Sequence, residues 1–286
     1  MANPPATLRT ILLLDGLAFP ESPRWRDGKL WFSDMGDQQV MTVTLDGQVR
    51  VVATVPQQPS GLGWLPDGRL IVVSMLDRRL LRLDTDGLNF MADLWDLTDW
   101  HCNDMVVDGQ GRAYIGNFGF DFMENEPPKP TVIVLATPDG ATRVVAEDLL
   151  FPNGAVITPD GRTFIVGETF GARLTAFDIA EDGSLNNRRL WAQLQGAAPD
   201  GICLDAEGAI WMASPVSREV LRVREGGEIT HRIPVETQGI ACMLGGADRR
   251  TLFILSAPVT RPEKARELKL GRIDIARVAV PGAGLP

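Results

Sequence analysis

Polar and apolar positions alternate in short bursts along this 286-residue chain, and the bursts repeat. Residues 199–214 run from a polar residue, Asp200, through a glycine and an apolar stretch to an acidic-glycine turn at Glu207-Gly208, then into a second apolar stretch. Two short strands joined by a tight turn fit that order, because glycine supplies the positive φ such turns need. The same order follows Glu21, Ser60, Asn103, Asn153 and Gln238. From leading residue to turn glycine is eight positions in five copies and seven in the first. A period of roughly 40–50 residues with several strands per unit is the signature of a β-propeller. Six units predict six blades and an all-β chain. The first strand of each blade lines the central channel, so the six leading residues should converge on one ring at one face. None of the six is apolar, Lys or Arg.

Taken in order, residues 1–7 read as a loose tail, and 8–14 as a strand followed by a turn at Asp15-Gly16. Residues 267–280 alternate in the same way, and neither segment has a blade of its own. Pairing the N-terminal strand with the C-terminal one closes the last blade and removes exposed sheet edges. Residues 258–265 then form a loop within that blade. The whole chain, 1–286, reads as a single propeller domain. Between the second and third strands of blade three lies a long insertion, 118–130, with Phe118, Phe120 and Phe122. It leaves from the ring face, so it reads as a lid over the ring.

Composition narrows the function classes. A net charge of −9 and a pI of about 4.8 argue against nucleic acid as a partner. No apolar run approaches the roughly 20 residues of a membrane span, and no secretory leader is recognisable, so a cytoplasmic location is expected. Cys102, Cys203 and Cys242 are too few for a disulfide framework and read as small buried hydrophobes. Oligomeric state is not legible.

The chemistry belongs to the ring. Glu21, Asn103, Asn153 and Asp200 bring two carboxylates and two carboxamide oxygens together. Two anions forced close repel unless a positive charge lies between them. With no Lys or Arg at a ring position, a divalent metal ion is the natural counterion. All-oxygen ligation selects Ca²⁺ first, then Mn²⁺ or Mg²⁺; Zn²⁺ fits less well without His or Cys. The alternative is a ring of polar residues solvating a water-filled channel. The mouth reads as apolar: Met35, Met75, Trp100, Phe118, Phe120, Phe122 and Phe170 fall in or beside ring-face loops. Ligand pockets have that character, with a few polar anchors.

Several motifs together resemble the senescence marker protein/gluconolactonase/luciferin-regenerating enzyme family. They are Phe19-Pro-Glu-Ser-Pro-Arg-Trp25, Asn103-Asp104, Asn153-Gly154 with Pro159-Asp-Gly161, Glu168-Thr-Phe-Gly-Ala-Arg-Leu-Thr-Ala-Phe-Asp178, and Pro199-Asp-Gly201. The resemblance spans essentially the whole chain. It implies a six-bladed propeller whose metal is held by Glu21, Asn153 and Asp200, with Asn103 near it. It also implies a lactone hydrolase in which Asp200 is the general base. Many sugar-lactone members carry Arg two residues before the Asn-Asp pair; this chain has His101. With the apolar mouth, that departure favours a less hydroxylated lactone over an aldonolactone such as gluconolactone. The expected substrate-binding set is Met75, Trp100, His101, Asn103, Phe118, Phe120, Phe122 and Phe170. A phosphotriesterase-like hydrolase on the same metal site and a non-enzymatic propeller scaffold are the remaining alternatives.

Overall fold

The computed structural model describes residues 5–284. Six sheets follow one another, antiparallel but for one parallel pairing at the N-terminal end of the chain, each with its strands in sequence order except where the chain ends complete a sheet. Blade one holds Pro20–Arg26, Lys29–Asp34, Gln39–Val43 and Val49–Thr54. The innermost strands of the other five are Pro59–Trp64, Cys102–Val107, Pro152–Ile157, Ile202–Leu204 and Gln238–Gly245. Each innermost strand packs on the next, and Gln238–Gly245 packs back on Pro20–Arg26, so the ring closes. The chain is a six-bladed β-propeller.

Local chemistry explains the hairpins. In the 158–163 turn, Asp160 accepts the backbone N–H of Arg162 at 3.1 Å and Gly161 takes φ +71°. Asp67, Asp108 and Asp205 accept the N–H two residues on in the same way, an Asx turn that locks the hairpin bend. The second strand of each blade is buried along most of its length, because its blade is covered by two neighbours. Five buried clusters fill the spaces between sheets.

Closure follows the expected pairing, with three local corrections. The outermost strand of blade six is Ile11–Leu17, antiparallel to Gly271–Arg277. The expected turn at Asp15-Gly16 lies inside that strand, where two register shifts absorb it. The segment read as a loop over 258–265 carries a short helix, Pro262–Leu268, and the strand read over 267–280 begins only at Gly271. Pro262 at the first helical turn, where its missing N–H costs nothing, starts the helix. Of the expected loose tail, residues 1–4 lie outside the described residues, while Ala6–Thr7 pair in parallel with His231 and Arg232 on the rim of blade five.

Candidate active site

Every ring residue sits beside a break in its strand. Register shifts fall at Glu21/Arg24, Pro59/Leu62, Cys102/Met105, Pro152/Ala155 and Gly239/Ala241. In blade five, regular pairing starts only at Ile202, two residues after Asp200. A bulge re-aims side chains and is favoured beside active sites. The glycine after the ring residue has a separate role. A Cβ on Gly154 would lie 2.5 Å from the Ile202 nitrogen, and one on Gly201 would lie 2.4 Å from the Ala241 Cβ. Neighbouring blades therefore touch backbone to backbone: Gly154 N–H donates to Asp200 O at 3.2 Å, and Gly201 N–H donates to Ile240 O at 2.8 Å.

Glu21, Asn103, Asn153, Asp200 and Gln238 all line one cavity of about 410 Å³. Ser60 does not; it is fully buried. Glu21 and Asp200 are 5% and 8% exposed. Burial pushes the Glu21 carboxyl well above its usual range, and the nearby Asp200 and Asp104 push it further. Burial likewise raises Asp200; the Asn153 carboxamide beside it opposes that shift. Both carboxamide nitrogens are engaged, Asn103 with Pro152 O at 3.5 Å and Asn153 with Thr169 Oγ1 at 3.2 Å. The buried Glu21 Oε1 and Asn153 Oδ1 have no protein partner. Such atoms are costly in a folded chain unless something completes them. Two buried carboxylates that oppose each other's charge, and acceptor oxygens without donors, fit a hard divalent cation. Among the described residues no group of three or more His, Cys, Asp or Glu is placed to hold a metal, so this fit depends on the two carboxamides.

The walls are aromatic. Met75, Trp100, His101, Phe118, Phe122 and Phe170 line the cavity, as does Met35. Phe120 does not. It is 2% exposed and packs edge-on against Phe151 and Phe170, supporting the wall from behind. Its neighbours Phe118 and Phe122 occupy the cavity surface, which leaves Phe120 turned into the protein. Phe151 is the hub: Phe118 stacks on it at 4.4 Å, and Phe120, Phe122 and Phe170 surround it. His101 stacks on Trp100 at 4.7 Å, and burial holds its imidazole below its usual pKa.

Phe19, Gln58 and Phe151 line the cavity but were not singled out from the sequence. A signal existed. Phe19, Gln58, His101 and Phe151 each precede a ring residue by two positions, so the repeat that defines the floor also places a second tier above it. The mouth of blade four is braced by Glu168, which is fully buried. Its carboxylate accepts from Leu150 N–H, Arg173, Arg188 and Thr175. The quoted Glu168–Asp178 motif is therefore structural at its first residue.

The insertion after Asn117 reaches over the cavity with Phe118, Asp121, Phe122, Met123 and Glu124. The segment after Ala257 reaches in with Val259, Thr260 and Arg261. Blades three and six face each other across the ring, and the Arg261–Glu124 ion pair, 2.6 Å, joins their loops over the mouth.

Comparison with known proteins agrees with the fold. Residues 19–258 match the SMP-30/gluconolactonase/LRE-like region. The chain belongs to that family. It is 27% identical to regucalcin of Danio rerio over 257 residues, covering 83% of this chain and 82% of that one. It is 28% identical to the 6-deoxy-6-sulfogluconolactonase of Pseudomonas putida over 190 residues, 64% of each. The solved structure of a calcium-binding protein, regucalcin, from Agrobacterium tumefaciens superposes with a TM-score of 0.81 at 23% identity, covering 98% of this chain and 97% of that one. At that identity the structural match speaks for the fold.

Proposed function

We propose that this chain is a metal-dependent lactone hydrolase, opening a cyclic ester with water to a hydroxy acid. The observation that carries the reading is the pair of buried carboxylates, Glu21 and Asp200, facing one cavity in which Glu21 Oε1 and Asn153 Oδ1 have no protein donor. The family match and the relative named as a sulfogluconolactonase support the reaction class. Glu21, Asn153 and Asp200 would hold the cation, with Asn103 beside them, and Ca²⁺ suits that oxygen set best. When bound, the cation supplies Lewis acidity toward the lactone carbonyl and the negative charge that develops there.

The chain's own groups do the rest. Asp200 accepts a proton from the attacking water, a role that needs a carboxylate at the cavity floor. The aromatic wall excludes bulk water, which strengthens every charge interaction at the floor. His101 lines the cavity stacked on Trp100, at the position two before Asn103 where many sugar-lactone members of the family carry Arg. The wall favours an apolar alkyl or aryl lactone. A sugar lactone is the second reading: Gln58, Asp121 and Gln238 also line the cavity and can bind hydroxyls.

The test is acid release from alkyl, aryl and sugar lactones and from an organophosphate. It uses chelator-treated protein with Ca²⁺, Mn²⁺, Mg²⁺ or Zn²⁺ added back. Metal-restored turnover, fastest on the apolar lactones, is expected. A faster rate on gluconolactone would move the substrate to the second reading. No lactone turnover with any cation would sink the proposal.

A further inference from the structure

One buried charged pair beside the ring takes no part in the chemistry above. Arg24, 3% exposed, meets Asp104, 4% exposed, at 2.7 Å. Every arm of its guanidinium is engaged. Nε donates to Leu62 O at 3.1 Å, Nη1 to Pro23 O at 2.8 Å, and Nη2 to both Asp104 Oδ1 and Met105 O. These acceptors lie on the innermost strands of blades one, two and three. Asp104 is itself fixed, its Oδ1 accepting Met105 N–H at 2.8 Å.

The tie sits where two ring residues leave their strands. Arg24 ends the bulge that carries Glu21, and Asp104-Met105 closes the bulge that carries Asn103. Blade two's ring residue, Ser60, is buried and does not line the cavity. The ring therefore has a gap between Glu21 and Asn103, and Arg24 spans it. Asp104 and Arg24 both act on the Glu21 carboxyl, in opposite senses, so all three charges share one neighbourhood. An apolar pair of the same shape would stabilise the fold about as well as a buried ion pair. Fold stability alone does not account for a guanidinium whose planar fork ties three strands.

We propose that Arg24 is a positioning residue: bonded to blades two and three, it holds Glu21 and Asn103 at a fixed spacing and so sets which divalent cation the ring accepts. The inference rests on the reading of the ring as a cation site. It adds a determinant of cation affinity and selectivity that touches neither the cation nor the substrate.

The test is calorimetric titration of chelator-treated protein with Ca²⁺ and with Mg²⁺, alongside the melting temperature of the metal-free protein. Arg24→Lys keeps the charge, but one ammonium cannot reproduce the fork. Ca²⁺ binding should weaken by about 10- to 100-fold, the range found when groups supporting metal ligands are changed. The Ca²⁺/Mg²⁺ affinity ratio should fall, because donors freed from a fixed spacing can close on the smaller ion. The metal-free melting temperature should stay near wild type. The double variant Arg24→Met with Asp104→Asn removes the opposed charges together and should behave alike; it serves if Arg24→Lys does not fold. Wild-type constants in either folded variant would overturn the proposal. So would weaker binding that merely follows a lower metal-free melting temperature with the ion ratio unchanged. If the wild-type protein binds no divalent ion at all, the cation reading falls first, and this inference with it.

Discussion

The floor of the cavity and its wall are made from opposite kinds of sequence. The floor is the repeat itself. One position in five of the six blades, set beside a break in strand pairing, brings Glu21, Asn103, Asn153, Asp200 and Gln238 onto a common surface. The outer part of the wall departs from the repeat: the 118–130 insertion belongs to blade three alone, and it meets Phe151 and Phe170 of blade four. The floor is polar, buried and short of partners, which makes it suited to holding charge. The wall is apolar and interlocked, which makes it suited to selecting shape. A propeller can thus keep one chemistry and change substrates by changing loops.

That contrast can be broken at several points. Asp200→Ala should have the largest effect, lowering turnover by about 10²- to 10⁴-fold while far-UV circular dichroism stays unchanged, since a floor residue is not a core residue. Gly201→Ala attacks the floor's geometry instead. A Cβ there would lie 2.4 Å from the Ala241 Cβ, so chemical denaturation should show a loss of about 1–3 kcal/mol, the usual cost of overpacking.

Glu168 offers a pH test of the frame beneath the wall. Burial alone would raise its pKa, but bonds from Arg173, Thr175 and the Leu150 N–H hold it below the usual carboxylate range. A depressed folded-state pKa contributes stability above the unfolded value, and that stability is lost as pH falls through the folded value. Glu168→Gln should therefore cost about 1–3 kcal/mol near neutrality. The difference from wild type should narrow in acid, below about pH 4.3, the unperturbed Glu value. A gap that stayed constant from pH 7 to pH 3 would show that the charge is not the stabilising feature.

The wall itself is probed by Phe118→Ala. Removing a ring stacked at 4.4 Å on Phe151 should cut the preference for aryl over sugar lactones by about tenfold, in line with the worth of one buried aromatic side chain. The smallest effect belongs to Arg261→Ala. Its pair with Glu124 is exposed, 61% and 60%, and such pairs contribute about 0–1 kcal/mol. The melting temperature should hardly move, and any change should appear in KM and its salt dependence.

Much of the floor could be read from the chain. The offset from polar residue to turn glycine is local, and bulge, hairpin and ring position follow from a few neighbouring residues. The wall was read less completely. Phe120 counts as a cavity residue by its loop, yet it turns inward because Phe151 and Phe170 are there to receive it. Phe151 stands two positions before Asn153, a signal the repeat carries, but its role as the centre of four other rings appears only in the packed structure. The helix at Pro262–Leu268 is held by Arg266 on Gly36 O and by Lys269 on Asp37, contacts more than two hundred residues away in sequence.

By itself, then, the sequence determined the number of blades, the closure of the ring by its two ends and the polar character of the floor, because each depends on a spacing that recurs along the chain. Only the tertiary structure decided which aromatics face the cavity, that Arg24 ties three blades together, and that Arg261 meets Glu124 across the mouth. Those contacts join residues that no local rule relates; they exist because ring closure brings distant strands to one axis.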